Sequence, residues 1–392
     1  MENWISPRII IGNTAIGDYY YNRPGIVAEI WEEIEKGNHV LLAAPRRIGK
    51  SSVMIFMSEH CAEGIKAKFE NIEGITSEEG FYKRIYELMQ ECLSRFQKAE
   101  KWLGEDVKIS VKKVSTTGVE FGETKTVYLD EIRKILLQLQ KNKVKIVLFI
   151  DELPEVLKFL YKNNKKEQAS SILNNIRAWR QNEWKSNFAL VLAGSVGIHH
   201  VVKTYEGRTA DLNDLHSVKF EAFTNAETKD YIVWVTKNAS VQYSEELQNY
   251  IITKITYSLP YFINLLLNEI NIIAKKASNV EVNRAIIDKA FDAVIKNSDY
   301  FEEWRNRLFE YFPKEEADFL DEVLTNLAKK GSTNLRQVHD LAIKHQQQKK
   351  FVSLLDDLEK DGYIVEQNEK YVFVSPFLQA FWKRSNPFYD AN

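Results

Sequence analysis

The segment Ala44-Pro45-Arg46-Arg47-Ile48-Gly49-Lys50-Ser51 constrains the fold of this chain more than any other part of the sequence. The apolar run 39–43 before it indicates a short buried strand, and 51–59 after it has helical periodicity. A loop that holds phosphate needs inward-pointing backbone N–H groups, a helix N-terminus behind them and a cation. Gly49 permits close backbone approach, Lys50 supplies the charge, and Ser51 offers a hydroxyl for Mg²⁺. The order of strand, loop and helix therefore predicts a nucleotide-binding P-loop.

Two features of this loop have alternative interpretations. The usual motif begins with glycine, whereas this chain has Ala44, and alanine tolerates a left-handed backbone poorly. Either the backbone at Ala44 is relaxed enough for alanine, or turnover is slow. Arg46 and Arg47 either contact phosphates or a neighbouring protomer, or project from an exposed loop. We favour a structural ion pair for at least one of the two arginines.

Two later strands end in polar residues. The apolar run 146–150 is followed directly by Asp151 and Glu152, as expected where a buried parallel strand reaches the ligand edge of a sheet. Asp151 is expected to position Mg²⁺, and Glu152 to polarise the attacking water. Adjacent Asp and Glu favour hydrolysis over simple binding. The strand 188–194 ends at Ser195, which is a candidate to hydrogen-bond the γ-phosphate or the water.

The wider pattern predicts three domains. Residues 1–215 alternate strands and helices, which predicts a parallel sheet with helices on both faces, and 107–127 suggests an inserted β-hairpin. Helical periodicity dominates 216–300. Residues 301–392 show three helices followed by two short strands, the pattern of a winged helix.

Composition limits the classes of partner and the cellular location. The chain has 53 basic and 55 acidic residues, so a surface built mainly to coat nucleic acid is not expected. Its apolar runs are far shorter than the ~20 residues that cross a bilayer, and the N-terminal residues lack a signal pattern. We therefore expect a cytoplasmic protein without a membrane partner.

Taken in order, these elements resemble the archaeal-type ATPases of the STAND class, relatives of the AAA+ and origin-recognition ATPases. The likeness begins at Tyr20-Tyr21-Asn22-Arg23-Pro24, a segment that lies near the adenine in the family. Asp151-Glu152 and Ala193-Gly194-Ser195 match the Walker B and sensor 1 positions. Further similar landmarks are Phe220-Glu221-Ala222-Phe223-Thr224, Leu259-Pro260-Tyr261 and Ser375-Pro376-Phe377-Leu378.

The resemblance implies an α/β fold in which an AAA+-like P-loop core is followed by a helical lid and a winged helix. It also implies a switch in which ATP moves the lid and permits self-association or contact with a protein partner. The residues expected to bind nucleotide are Arg23, Pro45, Arg46, Arg47, Ile48, Gly49, Lys50, Ser51 and Ser52. The catalytic candidates are Lys50, Asp151, Glu152 and Ser195, and the Mg²⁺ ligands are Ser51 and Asp151. Candidates for an arginine finger are Arg177, Arg180 and Arg208.

The C-terminal helix 351–360, which in a winged helix enters DNA, carries Asp356, Asp357 and Glu359 against one lysine. This balance favours a protein contact over DNA, although Lys344, Lys349 and Lys350 form a basic cluster just before it. Three hypotheses stay open: an ATP-hydrolysing switch, a DNA-binding ATPase of initiator or loader type, and a scaffold that holds nucleotide without hydrolysing it.

Overall fold

The computed structural model describes residues 4–94, 123–181, 183–194, 197–207, 212–278 and 280–389. The chain divides into two compact units. The first unit comprises Met1–Tyr21, Ala44–Gly49 and Glu221–Asn392, and the second comprises Asn22–Ala43 and Lys50–Phe220. The division into three domains that the sequence suggests, at 1–215, 216–300 and 301–392, stays a prediction.

The second unit is built on a five-stranded parallel sheet with the strand order β2-β3-β4-β1-β5. Its strands are Val40–Ala43 (β1), Ile65–Asn71 (β2), Lys145–Asp151 (β3), Phe188–Gly194 (β4) and His216–Ser217 (β5). Every residue of β4 is buried, as are all residues of β3 after Lys145. A central strand buried on both faces explains why these two runs are almost continuously apolar. The sheet brings the carboxyl ends of β1, β3 and β4 to one edge.

The helices of the second unit follow the strands in alternation, as predicted. They are Pro24–Glu35 (α1), Lys50–Glu59 (α2), Glu78–Ser94 (α3), Glu123–Asn142 (α4), Leu153–Lys162 (α5), Lys166–Gln181 (α6) and Gly197–Glu206 (α7), with a 3-10 turn at Glu183–Ser186. Proline occupies the first turn of α1 and α5, where the missing N–H costs no hydrogen bond.

The first unit is mainly helical. Its helices are Asn225–Val235 (α8), Glu245–Ile255 (α9), Pro260–Lys276 (α10), Arg284–Lys296 (α11), Asp299–Tyr311 (α12), Lys314–Lys330 (α13), Leu335–Lys344 (α14), Phe351–Lys360 (α15) and Pro376–Ser385 (α16), with a 3-10 turn at Gly17–Tyr19. Capping boxes start α8 at Thr224 and α14 at Asn334. Ile364–Gln367 (β6) and Lys370–Phe373 (β7) form an antiparallel hairpin after α15.

The structure changes some local expectations. Residues 107–122 of the expected hairpin lie outside the described residues, and 123–127 form the first turns of α4 instead of a strand. The reason is that Tyr128, Ile132 and Ile135 continue from this segment at helical spacing and are all buried. No helix in the described part of the chain is long and apolar enough to span a membrane.

Candidate nucleotide-binding site

In the second unit, the hydroxyl and the carboxylate expected to hold Mg²⁺ lie in direct contact. The Oγ of Ser51, in the first turn of α2, donates a hydrogen bond of 2.5 Å to Oδ2 of Asp151 at the end of β3. Asp151 is only 2% exposed, and its Oδ1 accepts the backbone N–H of Glu152 at 3.0 Å. Two hard oxygen donors at one point are the ligand type that Mg²⁺ prefers, so the residues present fit this cation.

Glu152 has an unusual backbone conformation for a residue with a side chain. Its φ is 59° and its ψ is 33°, in the left-handed region, and it forms the N-cap of α5. A single non-glycine residue in this region costs about 1–2 kcal/mol. The left-handed residue lies between the end of β3 and the first residue of α5. Such strain is often stored at functional sites.

The turn after β3 packs tightly against the end of β4. A Cβ atom added at Gly194 would lie 2.5 Å from Cγ and 2.6 Å from Cδ of Pro154, at the start of α5. Real side-chain contacts are about 1 Å longer, so only glycine fits. This approach fixes the turn that carries Asp151 and Glu152. Ser195, the next residue after Gly194, lies outside the described residues.

Lys50 and Ser52 are buried at the start of α2, at 7% and 8% exposure. Ile48 is 1% exposed, so it offers a phosphate its backbone and not its side chain. Gly49 has a φ of 105°, which only glycine adopts freely. The functional groups at this end of the loop are thus backbone N–H groups, one ammonium and one hydroxyl.

The strained position of the loop is Arg47 and not Ala44. Among the non-glycine residues with positive φ, Arg47 has a φ of 62°, whereas Ala44 is not in the left-handed region. The backbone at Ala44 is therefore relaxed enough for alanine, the first of the two interpretations considered. Arg47 bears the cost of about 1–2 kcal/mol instead.

Both loop arginines are ion-paired within the first unit. Arg46 and Arg47 each contact the carboxylate of Glu303 on α12. The guanidinium of Arg47 also lies 4.0 Å from the ring centre of Tyr261, a cation–π contact. Burial lowers the pKa of Arg47, and the charges of Arg46 and Arg307 act in the same direction. The ion pair favoured for at least one loop arginine is present for both.

Pro45 packs against another part of the first unit as well. A Cβ atom built on Gly362 would lie 3.0 Å from Cγ of Pro45, and Gly362 has a φ of 75°. No sequence pattern indicated that residues 45–47 would pack on Tyr261, Glu303 and Gly362, because these residues are more than 200 positions away.

The remaining arginines predicted to act at the site do not contact the P-loop acid or serine in the contacts described above. The guanidinium of Arg23, at the N-cap of α1, lies 5.1 Å from the ring centre of Phe220. Arg180, an arginine-finger candidate, has a side chain only 1% exposed and makes a bidentate ion pair with Asp214 at 2.7 and 2.9 Å. In this arrangement its guanidinium is not available to a neighbouring protomer. Arg208 lies outside the described residues.

Comparison with solved structures identifies the fold. A Walker-type ATPase of Pyrococcus abyssi matches with a TM-score of 0.60 at 16% sequence identity, over 96% of this chain and 99% of that chain. The ORC2 protein of Aeropyrum pernix, in its ADPNP–ADP complexes, matches with a TM-score of 0.54 at 11% identity, over 98% of this chain and 96% of that one. No protein-family model matches the chain, and no curated protein matches its sequence significantly.

The five-stranded parallel sheet and these two likenesses define an α/β P-loop ATPase fold, as the sequence predicted. Within that class, the fold is similar to that of the Aeropyrum pernix ORC2 protein over almost the full chain.

Proposed function

We propose that this protein is an ATP-binding and ATP-hydrolysing switch that depends on Mg²⁺. The hydrogen bond between Ser51 and Asp151 is the observation that carries the proposal, because it joins the P-loop serine to the acid that ends β3. A direct contact between these two side chains gives a divalent cation a defined place next to the phosphates. The similar Aeropyrum pernix protein forms complexes with ADPNP and ADP, which supports an adenine nucleotide as the ligand.

Each residue has a separate role in this proposal. The N–H groups of the loop and of the first turn of α2 bind phosphate oxygens, and Lys50 neutralises their charge. Ser51 and Asp151 hold Mg²⁺, which when bound stabilises the negative charge on the transferred phosphoryl group. Arg23 and Ser52 complete the expected nucleotide contacts. Because Lys50 and Asp151 are buried, their charges act where water screens them weakly.

Glu152 is proposed to orient and polarise the attacking water, with Ser195 as a hydrogen-bonding partner of the γ-phosphate or the water. Asp151 and Glu152 are adjacent, so one carboxylate is proposed to bind the cation and the other to act on the water. The tight contact between Gly194 and Pro154 keeps this turn in place.

The switch is proposed to act through the helices of the first unit. We assign α8–α11 to a helical lid and α13–α15 with the β6–β7 hairpin to a winged helix, whose partner is a protein or a second copy of the chain. Two lysines of the expected basic cluster are already paired: Lys344 with Glu322 at 2.7 Å and Lys350 with Glu316 at 2.6 Å. These ion pairs reduce the charge available to DNA, so they favour a protein partner.

Phosphate release by purified protein tests hydrolysis. We expect release that requires Mg²⁺, is lost in Lys50→Ala, and falls by about 10²-fold or more in Glu152→Gln, which should retain ATP. Glu167→Gln, at an exposed acid in the first turn of α6, is the matched control and should leave the rate unchanged. Nucleotide that stays bound in stoichiometric amount without turnover in the wild type would instead identify a non-hydrolysing scaffold.

Sedimentation of Glu152→Gln with ADP or ATP tests the switch. A larger species with ATP than with ADP is expected if ATP permits self-association. An identical distribution of sedimenting species with both nucleotides, together with no binding of a protein partner in either nucleotide state, would reject the switch. Salt-dependent DNA binding that weakens in Lys349→Glu would favour the initiator alternative.

A further inference from the structure

The segment that follows α16 in the first unit displays a phenylalanine almost completely to solvent. The side chain of Phe388 is 97% exposed, although phenylalanine is among the residue types most often buried in proteins. The residues on both sides of it are fixed to α13. The amide of Asn386 donates a hydrogen bond of 2.8 Å to Oγ1 of Thr325. The phenol of Tyr389 donates one of 3.0 Å to Oε1 of Glu322. The exposure of Phe388 is therefore a property of an anchored turn.

Cationic side chains lie on the two helix ends that flank this turn, which we call the Phe388 turn (residues 386–389). The last turns of α13 and α16 carry Lys329, Lys330, Lys383 and Arg384. The ammonium of Lys329 also donates a hydrogen bond of 3.0 Å to the backbone oxygen of Pro387. None of the four cations has an ion pair with an acid of the described residues. The acid that Tyr389 contacts, Glu322, is already ion-paired with Lys344. The turn thus presents an aromatic ring beside uncompensated positive charge.

The same unit has an acidic face, formed by Asp356, Glu359 and Glu366 of α15 and the β6–β7 hairpin. The segment 351–373 contains six acids and two lysines. The backbone N–H of Glu366 donates a hydrogen bond of 2.7 Å to Oε1 of Glu359, which joins the hairpin to the helix. Burial raises the pKa of Tyr371, and the three carboxylates of the acidic face act in the same direction, so they lie together around one ring. None of the three has an ion pair in the part of the chain that the structure describes.

We propose that the Phe388 turn of one copy of this chain docks on the acidic face of a second copy. The charges of the two surfaces are opposite, which favours their association. Val352, one helical turn before Asp356, is 49% exposed and offers an apolar contact for the phenylalanine ring. Within one chain the two surfaces do not cover each other, because Phe388 is left almost fully exposed. A second copy pairs both surfaces, whereas a lipid surface or a nucleic acid is anionic and offers a partner to the turn alone.

The proposed contact is heterologous, since the turn of one copy meets a different surface of the next. A pair of chains still has one unoccupied turn and one unoccupied face, so association continues beyond the dimer as the concentration rises. The turn is already fixed on α13 in the single chain, so little conformational entropy is lost when Phe388 is buried. The contact goes beyond the proposed switch, because its residues lie outside the P-loop and it requires no nucleotide.

Sedimentation of the full chain without nucleotide tests the contact. The average mass of the wild type is expected to rise with concentration above that of one chain. Phe388→Ala is expected to weaken association about tenfold or more, because an aromatic anchor is lost from the interface. Phe309→Ala, at a phenylalanine of α12 that is 44% exposed, is the matched control and should change nothing. A wild type that stays monomeric in low salt, or a Phe388→Ala variant that associates as the wild type does, would overturn the proposal.

An exchange of charges between two variants tests whether the partner is a second copy. The first variant carries Lys330→Glu and Lys383→Glu beside the turn, and the second carries Asp356→Lys and Glu366→Lys on the acidic face. Each variant alone brings like charges together, so each is expected to associate about three- to tenfold more weakly than the wild type. In an equal mixture, the turn of each variant meets a face of opposite charge on the other, so association should return to within about twofold of the wild type. A mixture that associates no better than its components would refute the contact.

Anionic surfaces of other kinds are the remaining probes. Vesicles of phosphatidylserine and phosphatidylcholine in equal parts, or single-stranded DNA, should bind the wild type and Phe388→Ala equally weakly. Binding that is lost in Phe388→Ala while the chain stays monomeric would assign the turn to a lipid or a nucleic acid and overturn the proposal. Failure of the proposed function is distinguishable, because a chain that self-associates through Phe388 but binds no nucleotide would reject the switch and support this contact.

Discussion

Replacing Gly194 by alanine tests how rigidly the turn after β3 is held. The new Cβ would lie 2.5 Å from Cγ of Pro154, whereas carbon atoms pack at about 3.5–4.0 Å, so a separation of about 1 Å is required. Neither partner moves easily, because Gly194 is paired with Ala43 of β1 and Pro154 begins α5. Overpacking of this kind costs about 1–3 kcal/mol. The φ of Gly194 is not left-handed, so alanine can adopt the same backbone conformation. Alanine also lowers the conformational entropy of the unfolded chain, and this stabilises the folded state by about 0.4–1 kcal/mol and offsets part of the overpacking cost.

We therefore expect Gly194→Ala to lower the free energy of unfolding by about 1–2 kcal/mol in urea denaturation. The Pro154→Ala background removes the two ring carbons that clash, and there the same substitution should cost less than about 0.5 kcal/mol. Gly25→Ala, at an exposed helical glycine with no atom within 4 Å of the added Cβ, is the control and should stabilise. A loss that is the same in both backgrounds would refute the packing argument, since it would show that Pro154 is not the obstacle.

Two further predictions concern buried ionisable groups in the second unit. Burial lowers the pKa of His39 to about 3 from 6.5, so below pH 6.5 the unfolded chain binds a proton that the folded chain excludes. As the pH falls below 6.5, the free energy of unfolding should therefore decrease by about 1.4 kcal/mol per pH unit from this group, and the pH slope between 6.5 and 5 should flatten in His39→Gln. Asp214→Ala removes the carboxylate from the buried guanidinium of Arg180 and should cost about 3 kcal/mol in urea denaturation; a cost below about 1 kcal/mol would show that this pair is not a stabilising contact.

The P-loop and the two acids after β3 were predictable because their signals are local. A strand, a glycine-containing loop and a helix follow one another within about 20 residues, and the acids after β3 end a continuous apolar run. The helix α5 was not predicted, although Leu153, Val156, Leu157 and Leu160 have helical spacing and are all buried. This part of the site is encoded in neighbouring residues.

The contacts of the loop arginines could not be predicted in the same way. Arg47 and Glu303 are 256 positions apart, and a single sequence contains no pattern that pairs one arginine with one particular acid among the 55 acidic residues. The helix α12 was also missed, and with it the residues Glu303 and Arg307. The left-handed backbone of Arg47 has no sequence signal either, since arginine is not a residue type that favours this conformation.

Two non-glycine residues in and near the P-loop have a strained backbone, and they differ in what supports it. Arg47 and Glu152 both have left-handed backbones that cost about 1–2 kcal/mol each, and such conformations persist only where the surroundings determine them. Glu152 is held by the carboxylate of Asp151 and by the packing of Pro154, which are near neighbours in the sequence. Arg47 is held by Glu303 and Tyr261, which are more than 200 positions away. The strain at Glu152 is therefore supported by local residues, whereas the strain at Arg47 persists only because distant parts of the first unit pack against the loop.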